Sequence, residues 1–383
     1  MSGPHVLVVL HEPGVGGATN AVLRVLPELE QHGWSFSFWA PCPSPVAELL
    51  VARGWPVAGE ERPLRYSWGA LREPPGAARR LAATPGYLGR LRAHIRRLRP
   101  DLVHANTVVA LPEAAIARST GTPTLLHVHE MLSAGLRGAS AVRLARVADH
   151  TAAVSQASAQ PLRRTGLGTS VITAGLRLPP PPRARTAGQR LVVGTLATVS
   201  HRKGSDTFLA AAIALKAEWP DVEFRMIGPL APGRERIWAG ELTRRAEVAG
   251  IQCGATADAL RELAGWDVFV LPSRRDPFPL AVLEAMGTGL PVVATVVDGL
   301  PEQVDVSCGV LVAPGDAVAL RRAVAALLAD APRRAALGAA GRARVAREFT
   351  SARHAREQAE AYLATLASAR GAHRDPKRAR YAP

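Results

Sequence analysis

Short apolar segments recur along the chain, and longer stretches with helical spacing lie between them. Most segments are continuously apolar rather than alternating, which is typical of strands buried on both faces of a parallel sheet. A strand followed by a helix, repeated, predicts βαβ units and an α/β fold. The predicted strands are 6–10, 102–105, 125–128, 191–196, 222–227, 268–271, 292–295 and 310–312. The clearest predicted helices are 18–32, 206–218 and 316–329.

A run of prolines at 179–182 interrupts this pattern near the middle of the 383-residue chain. Because such a run cannot continue a helix or a central strand, it predicts a semi-rigid linker between two doubly wound, Rossmann-like domains. Ligands of such sheets bind at the carboxyl ends of the strands, so we expect the site in a cleft between the domains. The predicted parts are a first domain at 1–178, a linker at 179–189, a second domain at 190–350, a helix at 351–369 that crosses back to the first domain, and a disordered basic tail at 370–383.

Composition and charge exclude several classes of protein. Hydrophobic residues make up 48% of the chain, enough for full-sized cores. The longest apolar run, 208–215, is far short of the ~20 residues that span a bilayer, and the N-terminus has no basic segment typical of a secretory signal. Cys42, Cys253 and Cys308 form no CxxC pair, which argues against a zinc knuckle or a disulfide framework. We therefore expect a cytoplasmic protein.

The net charge of +15 is concentrated in two segments. Ten arginines and one acidic residue lie between Arg62 and Arg99, and the tail at 370–383 carries five basic residues. Neither segment has interleaved aromatic residues or a helix-turn-helix pattern, so no nucleic-acid partner is expected. Two interpretations of the first cluster stay open: a solvated arginine-rich face, and peripheral contact with an anionic membrane at its inner face.

A glycine-rich turn follows the first predicted strand, from His11 to Asn20. The third glycine of a dinucleotide fingerprint would fall at Thr19, so the turn is not that fingerprint. Gly16 and Gly17 nevertheless precede a helix whose free amides could bind an anion or a sugar hydroxyl. A tight turn with a structural role only is the alternative.

A cationic turn follows the first strand of the second domain. Arg202, Lys203 and Gly204 stand directly before a predicted helix, and Lys203 is one of only three lysines in the chain. Fixed positive charge beside helix N-terminal amides suits a diphosphate. An incidental surface pair is the alternative.

Two carboxylates accompany the strand at 268–271. Asp276 lies in a proline-punctuated loop, and Glu284 follows in a helix that we expect to begin near Pro279. Carboxylates accept paired hydrogen bonds from a ribose diol, and the amides of Leu280 and Ala281 are unpaired helix donors that a phosphate could use. In the alternative interpretation, Asp276 is a local cap and Glu284 is a buried salt-bridge partner.

A histidine pair ends one strand of the first domain. His127 and His129 share one face of the strand, while His104 and Asn106 end the preceding one. A polar group facing the cleft and a structural histidine both stay open as interpretations. No further ligand set accompanies the pair, and the sequence has no Asp-x-Asp, so no metal is expected.

These motifs together resemble glycosyltransferase family 4, whose members are retaining, nucleotide-sugar-dependent enzymes of the two-domain GT-B fold. Asp276 and Glu284 fall at the two acidic positions of its E-x7-E signature, and the run from Leu283 to Ala294 resembles its "LEAMA-x-G-x-PVVA" element. The "RKG", "vS" and "H-D/E" elements are similar to segments at 202–204, 154–155 and 129–130. The resemblance spreads over most of residues 5–350.

The resemblance implies roles for these residues. Arg202 and Lys203 would neutralise the donor diphosphate, and Glu284 would hold the ribose. Asp276 would hold the donor sugar together with the loop formed by Phe278, Pro279, Leu280 and Ala281. His129 would stand near the sugar, and Gly16 and Gly17 would approach the phosphates or the acceptor.

The sequence departs from the family pattern at several of these positions. Asp276 is one methylene shorter than the family's glutamate, and Pro279 replaces a common glycine and removes one N–H. Ala197 and Thr198 stand where many members have Gly-Arg, and Ala174 replaces the usual Asn before a glycine.

The predicted activity is transfer of a sugar from a nucleotide-diphosphate sugar to a sugar, lipid-linked or small-molecule acceptor, with retention, without a metal and without a bound cofactor (class EC 2.4). The alternatives are a nucleotide-sugar epimerase or hydrolase of the same fold, a module that binds anionic membranes or nucleic acid, and an inactive relative that serves as a partner's subunit.

Overall fold

The computed structural model describes residues 3–63, 74–132, 135–180 and 188–374. The chain divides into two compact units. Unit 1 takes the chain as far as Thr173 and again from Ser351, and unit 2 runs from Ala174 to Thr350. The predicted linker falls largely on 181–187, and most of the predicted basic tail falls on 375–383, so both lie mainly outside the described residues.

Unit 1 is built on one parallel sheet of seven strands in the order β3-β2-β1-β4-β5-β6-β7. Its strands are β1 His5–Val9, β2 Ser35–Trp39, β3 Val57–Ala58, β4 Leu102–Asn106, β5 Thr124–Val128, β6 His150–Ala153 and β7 Thr169–Val171. Its helices are α1 Gly17–Gln31, α2 Pro45–Ala52, α3 Pro74–Leu98, α4 Leu111–Ser119, α5 Leu136–Leu144, α6 Gln156–Arg163 and α14 Ser351–Arg374. Short 3-10 turns lie at Val108–Ala110 and Ala145–Val147.

Both faces of the unit 1 sheet are buried, as its continuously apolar strands require. Along β1, Val6 and Val8 join the core on one face, whereas Leu7 and Val9 join the core on the other. Helices α1 and α14 pack on the first face, where Tyr362 of α14 lies 5.1 Å from Trp34, measured between ring centroids. Helix α14 is therefore part of the core of unit 1, although it follows unit 2 in the chain.

Unit 2 is built on a parallel sheet of six strands in the order β10-β9-β8-β11-β12-β13. Its strands are β8 Val192–Leu196, β9 Glu223–Ile227, β10 Gln252–Gly254, β11 Val268–Leu271, β12 Val292–Thr295 and β13 Gly309–Val312. Its helices are α7 Ser205–Glu218, α8 Glu235–Val248, α9 Ala259–Leu263, α10 Leu280–Gly287, α11 Leu300–Gln303, α12 Ala317–Ala329 and α13 Ala331–Glu348.

These two doubly wound sheets confirm the predicted α/β class. The eight predicted strands are present within one residue at each end, and so are the three predicted helices. Strands β2, β3, β6, β7 and β10 were not predicted, because they are very short or lack a continuous apolar run. Helix α14 continues to Arg374, five residues beyond its predicted end. Within the described residues, no helix is both long enough and apolar enough to span a bilayer.

Candidate functional site

The strand order of unit 2 reverses between the adjacent strands β8 and β11. In doubly wound sheets, ligands bind outside the carboxyl ends of the strands at such a reversal. The loops that leave β8 and β11 carry the predicted cations and Asp276, so the fold brings the second and third sequence motifs together at one edge of the sheet.

The loop after β8 is held in place by hydrogen bonds between residues close in sequence and by one glycine. Ser200 Oγ accepts the backbone N–H of Lys203 at 3.2 Å, and Ser205 Oγ accepts that of Ser200 at 3.0 Å. Gly204 has φ +70°, and a Cβ atom there would lie 1.9 Å from the carbonyl oxygen of Pro272. Only glycine fits this approach, which brings the loop after β8 against the loop after β11.

Lys203 and Asp276 form a largely buried ion pair between the two loops. The Lys203 Nζ lies 2.6 Å from Asp276 Oδ2, and their side chains are 14% and 4% exposed. Ser273 Oγ also donates to Asp276 Oδ2, at 2.9 Å. Burial lowers the pKa of Lys203, the nearby charge of Arg202 lowers it further, and the Asp276 carboxylate opposes both effects. The predicted diphosphate lysine is thus already paired with the predicted sugar-binding carboxylate.

Arginines tie the same two loops together on their outer side. Arg202 is exposed, donates through Nη1 to the carbonyl oxygen of Arg275 at 3.2 Å, and accepts the N–H of Arg274 at 2.8 Å. Arg274 binds both carboxylate oxygens of Asp206 at 2.7 and 2.9 Å. Burial alone would raise the pKa of Asp206, but the hydrogen bonds and charge of Arg274 outweigh it and hold that pKa below its usual range.

Asp298 is a further site residue that the sequence analysis did not identify. It lies between β12 and α11, and its Oδ2 accepts the N–H of Asp276 at 2.8 Å and Nε of Arg275 at 3.1 Å. Its backbone has φ +46°, a left-handed conformation that favours glycine. The Asp-Gly dipeptide at 298–299 is a turn signal that could have drawn attention to it.

Helix α10 begins where the sequence predicted. Pro279 is its N-cap, and in the described part of unit 2 the amides of Leu280 and Ala281 have no hydrogen-bond acceptor. Phe278 is buried against Phe349, with ring centroids 5.8 Å apart. Glu284 lies in the second turn of α10 and is 6% exposed. Free amides and a buried carboxylate therefore follow Asp276 on one short helix.

The glycine-rich turn of unit 1 leads into α1, with Gly16 as the N-cap. A carboxylate of the chain itself stands beside it, since a Cβ on Gly16 would lie 2.0 Å from Glu12 Oε2. Glu12 also pairs with His11 at 3.3 Å, whereas a Cβ on Gly17 would point into open space among the residues that the structure describes. The negative charge of Glu12 makes Gly16 a poor phosphate site in this arrangement, and a sugar hydroxyl suits it better.

Three histidines line one face of the unit 1 sheet at its carboxyl edge. The rings of His104 and His127 stack at 5.4 Å, and those of His127 and His129 lie 4.2 Å apart, measured between centroids. Tyr362 on α14 shares a 3.0 Å hydrogen bond with His104 Nδ1. Burial lowers the pKa of His104 to about 3, and burial with nearby histidines also lowers that of His129. His129 is therefore a neutral, half-buried ring backed by other neutral rings.

Glu130, which follows His129, binds the main chain just after β4. Glu130 accepts the N–H of Val108 at 3.2 Å and that of His129 at 3.0 Å. Burial raises the pKa of the Glu130 carboxyl, and the two hydrogen bonds oppose this shift. The "H-D/E" pair thus has a structural acid beside its histidine.

The arginine cluster at 62–99 is only partly a surface feature, and 64–73 lie outside the described residues. Arg62 is buried and binds Glu113 through Nε at 2.6 Å, and Tyr87 donates to the same carboxylate at 3.1 Å. Arg90 pairs with Glu60 at 2.6 Å. The exposed arginines that remain on α3 are Arg79, Arg92, Arg96 and Arg97. Among the described residues, no group of three or more His, Cys, Asp or Glu side chains is arranged to hold a metal ion.

Two family models match the two halves of the chain. The model described as Glycosyltransferase Family 4 matches residues 15–176, and the model described as Glycosyl transferases group 1 matches residues 189–330. Together they span most of the chain, including Gly16, His129, Lys203 and Glu284.

Curated relatives and a solved structure agree with these models. A lipopolysaccharide core biosynthesis mannosyltransferase of Rhizobium meliloti is 36% identical over 183 residues, which is 44% of this chain and 50% of the relative. A GDP-mannose-dependent monoacylated alpha-(1-6)-phosphatidylinositol monomannoside mannosyltransferase of Corynebacterium glutamicum is 32% identical over 160 residues, 39% of this chain and 41% of the relative. The chain thus matches about half or less of the length of these relatives.

The structure of the Anabaena protein HepE in complex with UDP and glucose is similar to this one, with a TM-score of 0.77 and 21% sequence identity. The match covers 94% of this chain and 99% of that one. At this identity the likeness concerns the fold, and it confirms the predicted GT-B architecture.

Proposed function

The chain belongs to the family-4, group 1 glycosyltransferases of the GT-B fold, and from this membership we propose that it transfers a hexosyl or related sugar from a nucleotide-diphosphate sugar to an acceptor. The observation that carries the proposal is the Lys203–Asp276 pair at the strand-order reversal, beside the free amides at the start of α10. A buried cation, a carboxylate and unpaired N–H groups at one edge of a sheet suit a diphosphate and the hydroxyls of the sugar it carries.

In this proposal, different residues of unit 2 bind different parts of the donor. Lys203, exposed Arg202 and the Leu280 and Ala281 amides take the diphosphate, since each supplies positive charge or an N–H. Buried Glu284 accepts hydrogen bonds from the ribose hydroxyls. Asp276, whose Oδ2 is paired with Lys203 and Ser273, offers Oδ1 to the sugar.

The proposed reaction breaks the bond between the anomeric carbon and the diphosphate oxygen. The acceptor oxygen forms its bond to the anomeric carbon on the same face, and the acceptor proton passes to the departing phosphate oxygen, so the configuration is retained. Lys203 and Arg202 stabilise the charge that develops on the diphosphate, an electrostatic effect typically worth several kcal/mol. We propose that these cations and the helix amides act without a metal ion, and that neutral His129 takes part in binding the sugar.

The donor and acceptor are proposed by class. The names of the two curated relatives describe mannosyl transfer, one of them from GDP-mannose, and HepE was solved with UDP and glucose. We propose a nucleotide-diphosphate hexose as the donor, and the experiment below identifies its nucleotide base. Because those two names also refer to lipopolysaccharide core and to a phosphatidylinositol mannoside, we favour a lipid-linked acceptor, with a free sugar or another small molecule as the alternative.

Thermal unfolding with UDP, GDP, dTDP and ADP sugars tests the donor proposal. A ligand present at 100 times its Kd adds about 2.7 kcal/mol of stability, so one of these donors should raise the Tm clearly. Turnover with that donor should be unchanged after EDTA treatment. If no nucleotide sugar raises the Tm, the proposed function fails, and if EDTA abolishes turnover, the metal-independent reaction fails.

The alternative activity, epimerisation or hydrolysis, needs the donor but no acceptor. A nucleotide-sugar epimerase or hydrolase would convert the donor without an acceptor, so incubation of the donor with the protein, followed by chromatography, separates the two. An epimer or a stoichiometric yield of free sugar would favour this alternative activity.

Peripheral contact with an anionic membrane is the second proposal. The four exposed arginines Arg79, Arg92, Arg96 and Arg97 on α3 support it, since such residues attract acidic lipid headgroups. Salt-sensitive sedimentation with vesicles that contain phosphatidylglycerol, absent with phosphatidylcholine vesicles, would support this contact. Equal binding to both kinds of vesicle would refute it.

A further inference from the structure

The turn formed by Asp298 and Gly299, here called the Asp298 turn, holds the main chain of Asp276 at both of its polar groups. Asp298 Oδ2 accepts the Asp276 N–H at 2.8 Å. Gly299 donates its own N–H to the Asp276 carbonyl oxygen at 3.1 Å. A third contact, from Arg275 Nε to Asp298 Oδ2 at 3.1 Å, keeps the Asp298 carboxylate in place.

The backbone conformation of Asp298 shows that its side chain has a cost. With φ at +46°, the residue occupies a region that glycine adopts freely and that other residues adopt at a cost in free energy. Glycine at this position would keep the turn and relieve the strain. What glycine would lack is the carboxylate, whose contacts go to Asp276 and Arg275.

The side chain of Asp276 makes the position of its main chain important. Aspartate has only two side-chain torsions, so its carboxylate follows its backbone more closely than a glutamate carboxylate would. Its Oδ2 is engaged by Lys203 and Ser273, and no residue that the structure describes donates to Oδ1. Holding the main chain therefore fixes where the available oxygen points.

We propose that Asp298 is a positioning residue for recognition of the donor sugar, which holds the backbone of Asp276 so that Oδ1 can accept a sugar hydroxyl. This inference rests on the proposed function, because it takes Asp276 as the contact to the sugar. Asp298 itself touches neither the sugar nor the diphosphate in this scheme. Its effect should therefore depend on the sugar and be small for the nucleotide alone.

Two substitutions of Asp298 separate this role from a purely structural one. Asp298→Gly removes the carboxylate and the strain together, so the urea midpoint should stay equal or rise. The kcat/KM for the donor should nevertheless fall at least ~10-fold, since a misplaced contact group can cost up to ~100-fold. Asp298→Asn keeps an oxygen that can accept the Asp276 N–H and tolerates the left-handed conformation, so it should retain kcat/KM within ~3-fold.

A matched control comes from the N-cap of α12. Asp316 also accepts a backbone N–H at 2.8 Å, that of Ala319, and it is exposed and makes no contact with the site loops. Asp316→Gly loses the same kind of hydrogen bond and should leave kcat/KM for the donor unchanged. Binding of the free nucleoside diphosphate, measured by calorimetry, should change less than ~2-fold in all three variants.

Several results would overturn the inference. An unchanged kcat/KM in Asp298→Gly would do so, and so would a loss of activity that follows a fall in stability across the variants. A similar loss in Asp298→Asn and Asp298→Gly would show that the accepting oxygen is not what matters.

A second readout separates this inference from the proposed function. If the wild-type chain binds no nucleotide sugar, the proposed function fails and the positioning role fails with it. Hydrogen exchange of the Asp276 amide then still tests the contact itself. Protection in the wild type and in Asp298→Asn, with loss in Asp298→Gly, supports the hold on the main chain, and equal exchange in all three refutes it.

Discussion

Replacement of Lys203 by methionine is the most direct test of the buried ion pair. The substitution keeps most of the side-chain volume and removes the ammonium that lies 2.6 Å from Asp276 Oδ2. Asp276 is then left with Ser273 Oγ as its one remaining side-chain donor among the described residues. A carboxylate that is 4% exposed would thus lose its compensating charge.

Two magnitudes follow from this geometry. Removing one partner of a buried ion pair typically costs about 3–5 kcal/mol, so Lys203→Met should lower the free energy of unfolding by roughly that amount. Loss of the Lys203 ammonium should also lower turnover at least ~100-fold, because this cation is proposed to stabilise the departing diphosphate. The variant alone does not separate these effects, since an unstable protein can also be inactive.

The double variant Lys203→Met with Asp276→Asn separates them. With no buried charge left unpaired, its stability in urea should return to within about 1 kcal/mol of the wild type. Its turnover should stay at least ~100-fold low, since the groups for the diphosphate and the sugar are both missing. Recovery of turnover together with stability would refute our reasoning, because the pair would then be a structural element only.

Three further predictions concern single features of the two units. Glu284→Ala should lower turnover at least ~100-fold and weaken binding of the nucleoside diphosphate in calorimetry, because the ribose loses its acceptor, and unchanged binding would contradict this role. Gly204→Ala should lower the free energy of unfolding in urea by more than about 2 kcal/mol, because residue 204 has φ +70° and its new Cβ would lie 1.9 Å from the carbonyl oxygen of Pro272. If this variant is as stable as the wild type, the loops after β8 and β11 can move apart. His354 is a second buried histidine of unit 1 and lies in α14. Burial lowers the pKa of His104 to about 3 and that of His354 to about 4, against 6.5 in the unfolded chain, so the unfolded state binds more protons below pH 6.5. As the pH falls from 7 to 5.5, each of these two histidines should therefore lower the free energy of unfolding by ~1 kcal/mol. A free energy of unfolding in urea that stays constant over that range would contradict the burial of these rings.

The core strands and the site loops of unit 2 were accessible from the sequence because they depend on local patterns. Strands β11 and β12 are continuous apolar runs, and their predicted bounds are those of the structure. The turn at 202–204 and the start of α10 also follow from local chemistry, namely a glycine directly before one helix and a proline directly before the other. Such features need no knowledge of distant residues.

Features that depend on long-range contacts could not be predicted in this way. The pairing of Lys203 with Asp276 joins residues 73 positions apart, and it changes the picture of a free diphosphate lysine. The buried bond from Arg62 to Glu113 turns one member of an apparent surface cluster into a core residue. In both cases the sequence shows the charge, but only the fold shows its partner.

Edge strands were missed for a different physical reason. Strands β3, β7 and β10 have two or three residues and only partly buried or exposed side chains, so their sequences need not be apolar. They are defined by hydrogen bonds to a neighbouring strand rather than by their own composition. Asp298 escaped notice similarly, because one acidic residue in a turn has no pattern of its own.

The place of α14 in unit 1 sets an order for biosynthesis. Unit 2 is a continuous stretch of chain, so it can fold as soon as it leaves the ribosome. Unit 1 has to wait, because Tyr362, which is fully buried against Trp34 and His104, is translated only after the whole of unit 2. During that interval the apolar face of the nascent sheet that α14 will cover is open to water.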